Sequence, residues 1–197
     1  MKILVLQHLR AEHPGIFRNF LKEDGYEWFS VHLDEGQIPP PLDDFDALWV
    51  MGGPMDVWEE EKHPWLCNEK ILIREAVEER GMPFLGLCLG HQLLAEALGG
   101  KCGPAEHPEI GVKKVQLTDD GLTGVIFDAL PEAFSCLQWH SAEVKRMPAG
   151  AICLATSPDC AVQAMSWGPR AYSMQFHLEV EADTVENWAA IPSNAED

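Results

Sequence analysis

The heptapeptide Gly-Leu-Cys-Leu-Gly-His-Gln at residues 86–92 joins an apolar segment typical of a buried strand to a segment typical of a helix. Gly86 and Gly90 lie two residues before and two residues after Cys88, which is the spacing of a nucleophile elbow. Such an elbow is a sharp strand-to-helix turn with a reactive side chain at its apex. A helix beginning near Leu89 would point its positive dipole end at the sulfur and favour the thiolate. The stretch therefore predicts strand, turn and helix, with Cys88 as candidate nucleophile. A buried, inert cysteine between two chance glycines is the alternative.

Around this turn, the first half of the chain alternates strand-like with helix-like segments. Apolar runs predict strands at residues 2–8, 28–33, 47–51 and 84–87. Patterns of helical period begin at Pro14 and at Trp65, and they end at Gly25 and Gly81. Such alternation implies right-handed crossovers and a mostly parallel sheet.

The second half has a different pattern. Short strand-like segments occur at residues 112–117, 134–138, 151–156, 162–166 and 171–176. Turn residues between them predict antiparallel strands that join the sheet, and Asp183 with Glu186 has the spacing of a capping box for a last helix. We therefore expect an α/β fold with a mixed, mostly parallel sheet flanked by helices. One domain over residues 1–190 and a polar tail over 191–197 are expected.

Two further segments carry groups that a thiolate nucleophile needs. His177 and Glu179 follow a predicted strand at i, i+2, so both can point to one face. Glu179 could then hold His177 in the tautomer whose free nitrogen faces Cys88, as in other catalytic triads. Gly52-Gly53-Pro54 follows another strand and exposes backbone amides, which together with the Leu89 amide could bind an oxyanion. Alone, a histidine beside a glutamate is often a surface pair, and Gly-Gly-Pro is often only a turn.

Composition excludes several classes of protein. Fourteen Lys+Arg against 32 Asp+Glu give a net charge of −18 in 197 residues, which opposes binding to nucleic acid or to an anionic membrane surface. The apolar start of the chain is too short for a signal-peptide core, and no run approaches the ~18 apolar residues of a membrane span. The six cysteines lack a C-x-x-C pair. These features predict a cytoplasmic protein with reduced thiols.

The sequence shows neither a metal-binding nor a cofactor-binding motif. His8, His32, His63 and His107 are scattered without metal-ligand spacing, so we interpret them as ordinary polar residues and expect no metal site. Neither the phosphate-binding motif G-x-x-x-x-G-K-[ST] nor the dinucleotide motif G-x-G-x-x-G occurs in the chain. No cofactor is expected.

Taken in order along the chain, these segments resemble the class I, triad-type glutamine amidotransferases, especially the glutaminase domain of GMP synthase and its stand-alone relatives. The matching segments are Gly-Gly-Pro at 52–54, residues 86–92, Glu109-Ile-Gly111, Trp139-His140-Ser141 and His177-x-Glu179. Leu178 stands where the family usually has proline. The resemblance implies a flavodoxin-like sheet.

The resemblance also implies a reaction. Cys88 would attack the side-chain amide of glutamine, form a γ-glutamyl thioester and release ammonia, with His177 as base and then acid and Glu179 orienting it. Residues at family positions that hold glutamine are Gly52, Gln92, Trp139, His140 and Ser141.

The same segments leave the partner and two rival functions open. A synthetase partner that receives the ammonia is possible, because the chain has no synthetase module of its own. A γ-glutamyl peptidase or hydrolase would use the same triad on another leaving group, and a non-catalytic regulatory or binding module is a third hypothesis.

Overall fold

The computed structural model describes residues 1–191, so the predicted tail lies outside the described residues from position 192 onward. Within that range a nine-stranded sheet has the order β2-β1-β3-β4-β9-β8-β7-β5-β6. The strands are β1 (Lys2–Gln7), β2 (Glu27–His32), β3 (Ala47–Val50), β4 (Phe84–Leu87), β5 (Lys101–Leu117), β6 (Ala133–Arg146), β7 (Ala151–Thr156), β8 (Ala164–Trp167) and β9 (Ala171–Met174).

The sheet divides into a parallel and an antiparallel part. Strands β2, β1, β3, β4 and β9 pair in parallel, whereas β9, β8, β7, β5 and β6 pair antiparallel. The expected α/β fold, a mixed sheet flanked by helices, is confirmed. The parallel part is smaller than expected, with four parallel and four antiparallel strand pairs within residues 1–191. Strand β9 was expected to be antiparallel, but it pairs parallel with β4 and antiparallel with β8.

Helices lie on both faces of the sheet. They are α1 (Phe17–Glu23), α2 (Trp65–Arg74), α3 (Leu89–Ala97), α4 (Asp119–Thr123) and α5 (Thr184–Ala189). Side chains alternate between faces along a strand: Leu4 and Leu6 of β1 belong to the core that includes residues of α2 and α3, while Ile3 and Val5 belong to the core that includes Leu21 of α1. Among residues 1–191, no helix has the length and hydropathy needed to cross a bilayer.

Several element boundaries differ from the expected ones. Strands β5 and β6 are much longer than predicted and form one long antiparallel pair, with a register irregularity between Pro104 and Glu109. After Arg74 the second helix continues as a π-helical turn to Glu79. The capping box predicted at Asp183 is wrong, because that side chain makes no cap hydrogen bond.

Candidate active site

Four adjacent parallel strands, β1, β3, β4 and β9, end at the same edge of the sheet. Ligand sites of open α/β sheets lie at the carboxyl ends of such strands. The segments that follow these four strands carry His8 and Glu12, Gly52 and Gly53, Cys88, and His177 and Glu179, respectively. The topology therefore gathers residues that lie far apart in sequence.

Cys88 lies at the turn from β4 into α3 in a strained conformation. Its φ of 49° and ψ of −102° put a non-glycine residue at positive φ, which is uncommon and costs of the order of 1–3 kcal/mol. The Cys88 N–H donates to the Met174 carbonyl at 2.9 Å, which ties the turn to the end of β9. The predicted elbow is thus present.

The two glycines of the elbow are required by close backbone approach. A Cβ at Gly86 would lie 2.5 Å from the carbonyl oxygen of Gly90, and a Cβ at Gly90 would lie 2.1 Å from the carbonyl oxygen of Val50. Both distances are shorter than any normal contact. Small residues two before and two after Cys88 therefore let strand and helix meet.

We expect Gly90→Ala to destabilise the protein by about 1–3 kcal/mol, the usual cost of overpacking, because helix α3 must move away from β3. Thermal unfolding followed by circular dichroism measures this as a drop of roughly 2–4 °C per kcal/mol for a chain of this size. Gly103→Ala is the matched control, since its Cβ would meet the Lys145 side chain at an ordinary 3.4 Å. Equal unfolding temperatures for Gly90→Ala and the wild type would contradict this account of the elbow.

The His177 imidazole lies between Cys88 and Glu179. Its Nδ1 is 2.6 Å from Glu179 Oε1, and the Cys88 side chain is close enough to act on the charge of the ring. Burial disfavours the charged ring, but the charges of Glu179 and Cys88 outweigh burial and hold the pKa of His177 well above its usual range. Trp188 packs edge-on against the ring at 4.5 Å between centroids. The three predicted groups are therefore brought together in the expected order.

A residue that the sequence analysis missed also contacts the sulfur. The Gln175 side-chain amide donates to Cys88 Sγ at 3.5 Å, and Gln175 itself accepts a hydrogen bond from the Gln92 side chain at 3.1 Å. Gln175 precedes His177 by two residues. The same i, i+2 argument that linked His177 to Glu179 would have found it.

A cavity of about 240 Å³ opens over the sulfur, below the ~300–1,000 Å³ of pockets for drug-sized ligands, so it suits a small substrate. Its lining includes most of the predicted site residues, namely Gly53, Cys88, Leu89, Gln92, Trp139, His140, Ser141 and His177. Gly52 is not among the lining residues, and its carbonyl accepts a hydrogen bond from His8 at 2.7 Å. Glu12, Asp56 and Trp188 also line the cavity but were not predicted.

The His140 ring is part of a buried cluster. Its Nδ1 is 3.0 Å from the Ala142 carbonyl, and its Nε2 is 3.3 Å from Glu109 Oε2. Glu109, His140 and Cys160 each place one metal-ligating atom within 4.8 Å of the others. Glu109 also accepts hydrogen bonds from Ser157 and Gln163. These bonds account for the burial of the carboxylate.

The interpretation of His8 as an ordinary polar residue is wrong. His8 is fully buried at the end of β1, and its Nε2 is 2.9 Å from Glu69 Oε1 on α2. Burial disfavours its charged form, but the adjacent Glu69 carboxylate outweighs burial and raises the pKa of His8. With its other nitrogen on the Gly52 carbonyl, this buried ion pair holds the Gly-Gly-Pro turn in place.

The remaining cysteines have different environments. All six are free thiols. Burial raises the pKa of Cys136 and Cys160 to about 12 each and that of Cys102 and Cys153 above the usual range, so these four are held as thiols. Cys88 alone among the six lies at the elbow and interacts with an imidazole ring, that of His177.

Comparison with known proteins agrees with this fold and site. Residues 21–187 match the family model of class-I glutamine amidotransferases. The chain is 31% identical over 191 residues to the glutamine amidotransferase-like protein YfeJ of Salmonella typhimurium, covering 94% of the chain and 79% of that protein. It is 36% identical over 166 residues to one of the subunits of the glutamine-hydrolysing GMP synthase of Pyrococcus furiosus, covering 80% and 85%.

A solved structure is similar throughout. The crystal structure of a glutamine amidotransferase from Thermotoga maritima superposes with a TM-score of 0.88 at 30% identity, covering 96% of this chain and 80% of that one. An α/β enzyme with a cysteine at a strand-to-helix elbow is thus the class that fold and site define. The chain belongs to the class-I glutamine amidotransferase family.

Proposed function

We propose that the protein hydrolyses the side-chain amide of glutamine through Cys88, His177 and Glu179. Cys88 Sγ attacks the amide carbon to form the C–S bond of a γ-glutamyl thioester, and the C–N bond breaks as His177 gives a proton to the departing ammonia. Water, deprotonated by His177, then attacks the thioester, the C–S bond breaks and glutamate leaves. Glu179 orients the ring and stabilises the imidazolium.

The observation that carries this proposal is the position of His177. The ring interacts with Cys88 at a strained elbow, and its Nδ1 is 2.6 Å from a buried carboxylate. A surface His–Glu pair would be exposed, whereas His177 and Glu179 are both 2% exposed. An elbow thiol, an imidazole and an orienting acid in one line are the parts that acyl transfer needs.

The remaining predicted residues would hold the substrate. The Leu89 and Gly53 amides would bind the oxyanion, since Leu89 begins α3 and Gly53 lines the cavity beside the sulfur. Gln92, Trp139 and Ser141 line the cavity and would position the glutamine. Gly52, by contrast, would act through the turn that its hydrogen bond with His8 holds. Because the His140 ring is turned toward Glu109, its contribution would come through its backbone.

Ammonia from this reaction would need an acceptor. The relative from Pyrococcus furiosus is named as one of the subunits of a GMP synthase, which supports a synthetase partner for this chain too. Six free thiols support a reducing, cytoplasmic location. Co-purification under mild conditions, followed by glutamine-dependent amination of a candidate acceptor, would test the partner.

The chemistry is tested by trapping the acyl enzyme. After incubation with glutamine or with a panel of γ-glutamyl amines and rapid acid quench, peptide mapping by mass spectrometry is expected to find one γ-glutamyl group on Cys88. Released amine, measured alongside, identifies the leaving group. Cys67→Ser is the matched control, because Cys67 is exposed and far from the elbow in the sequence, and it should label like the wild type. Absence of an adduct and of amine release with every compound would overturn the proposal.

A further inference from the structure

Glu12 is a buried carboxyl group to which the proposed reaction assigns no part. It is 6% exposed and lines the cavity over Cys88. Its Oε2 is buried and has no hydrogen-bond partner among residues 1–191. A buried polar atom without a partner is costly, so its presence beside the proposed triad calls for a function.

The carboxylate faces the His177 ring from a third side. A Cβ at Gly52 would lie 2.5 Å from Glu12 Oε2 and 3.4 Å from His177 Cε1, so both atoms border the same small space. Cε1 lies between the two ring nitrogens, of which Nδ1 is taken by Glu179. The ring therefore has one carboxylate at Nδ1 and a second close to Cε1.

The loop that carries Glu12 is built to hold this position. The Ile16 N–H donates to the Glu179 carbonyl at 2.8 Å, and the Trp188 indole donates to the Ala11 carbonyl at 3.2 Å. Gly15 has a φ of +47°, and a Cβ there would lie 1.7 Å from the Glu179 carbonyl oxygen. Glu12 is thus fixed to the same backbone segment that carries the proposed acid.

Three titratable groups act on the charge of Glu12. Glu179 and His177 face it from the segment after β9, and His8, paired with Glu69, faces it from the end of β1. Burial first and then Glu179 raise the pKa of Glu12 to about 7, against the opposite effects of His177 and His8. The carboxyl is therefore ionised above about pH 7 and neutral below.

We propose that Glu12 is a positioning residue that acts through His177 by stabilising its imidazolium form. The inference rests on the proposed function, in which the imidazolium is the proton donor to the leaving amine. The direction of the effect follows from the negative charge. Ionised Glu12 keeps His177 protonated to a higher pH than Glu179 and Cys88 do alone. Removing the charge lowers the pH at which His177 loses its proton.

The test follows His177 directly. The protein is labelled with ¹³C at histidine Cε1, and the NMR signal of His177 is assigned by its absence in His177→Ala. We expect the titration midpoint of His177 to fall by about one pH unit in Glu12→Gln, a typical effect of one nearby buried charge. Glu12→Asp keeps the charge, so its His177 midpoint should stay close to that of the wild type. Thermal unfolding of all variants shows whether each is folded.

Asp56→Asn is the matched control, since Asp56 lines the same cavity but, unlike Glu12, is affected by burial, Glu59 and Lys62 and not by His177. An unchanged midpoint in folded Glu12→Gln, or an equal fall in Asp56→Asn, would overturn the inference. The glutaminase proposal fails separately. If the His177 midpoint falls in Glu12→Gln but the wild-type protein never acquires a γ-glutamyl group on Cys88, the coupling between Glu12 and His177 stands and the proposed function does not.

Discussion

His177→Ala is expected to lower the rate of ammonia release from glutamine by about 10⁴-fold, the size seen when a member of a triad is disabled. Two contributions vanish together. Cys88 loses the cation that stabilises its thiolate, and the departing ammonia loses its proton donor. His177 is buried and its ring interacts with both Glu179 and Cys88, so the alanine side chain supplies neither contribution.

Single-turnover measurements separate the two losses. Alkylation of Cys88 by iodoacetamide reports the thiolate alone, whereas thioester formation from glutamine also needs the proton donor. We expect alkylation at pH 7 to slow much less than thioester formation. His107→Ala, at an exposed position of β5, should match the wild type in both assays. A folded His177→Ala protein that releases ammonia at the wild-type rate would rule out the triad.

The parts of the fold that could be predicted are those with a local cause. Apolar runs predicted β1, β3 and β4 to within a residue or two, and the two glycines around Cys88 predicted the elbow because only small residues allow that approach. Strand β5 was underestimated, since Gly103, Pro104 and Pro108 disfavour a regular strand. The structure accommodates them beside a register irregularity in the long pairing with β6.

The parts of the site that could not be predicted depend on strand order. Glu12 lies 165 positions before His177 in the numbering, and only the neighbouring positions of β1, β3, β4 and β9 bring them together. His8 has the same origin, because its partner Glu69 comes from a helix that packs on β1. No periodicity or motif in the sequence carries such information, whereas the His177-x-Glu179 pair is local and was found.

The second large effect is expected from Glu179→Gln, which keeps the shape of the side chain and removes its charge. The Glu179 carboxylate is one cause of the raised pKa of His177, so its loss lowers that pKa. The amide can also turn its NH₂ toward Nδ1, which favours the wrong tautomer for accepting the Cys88 proton. We expect a loss of about 10²–10³-fold in thioester formation, smaller than for His177→Ala because a thiolate needs its base less than a serine does.

The pH dependence distinguishes this mechanism from a loss of packing. A raised pKa means that the imidazolium is present below that value and is lost as pH rises through it, so in Glu179→Gln the alkaline decline of thioester formation moves to lower pH. The variant should therefore be closest to the wild type near pH 6 and furthest from it near pH 9, while glutamine binding weakens little. A rate reduced by the same factor at every pH would mean that Glu179 only supports the structure around His177, and its role as the orienting acid would have to be withdrawn.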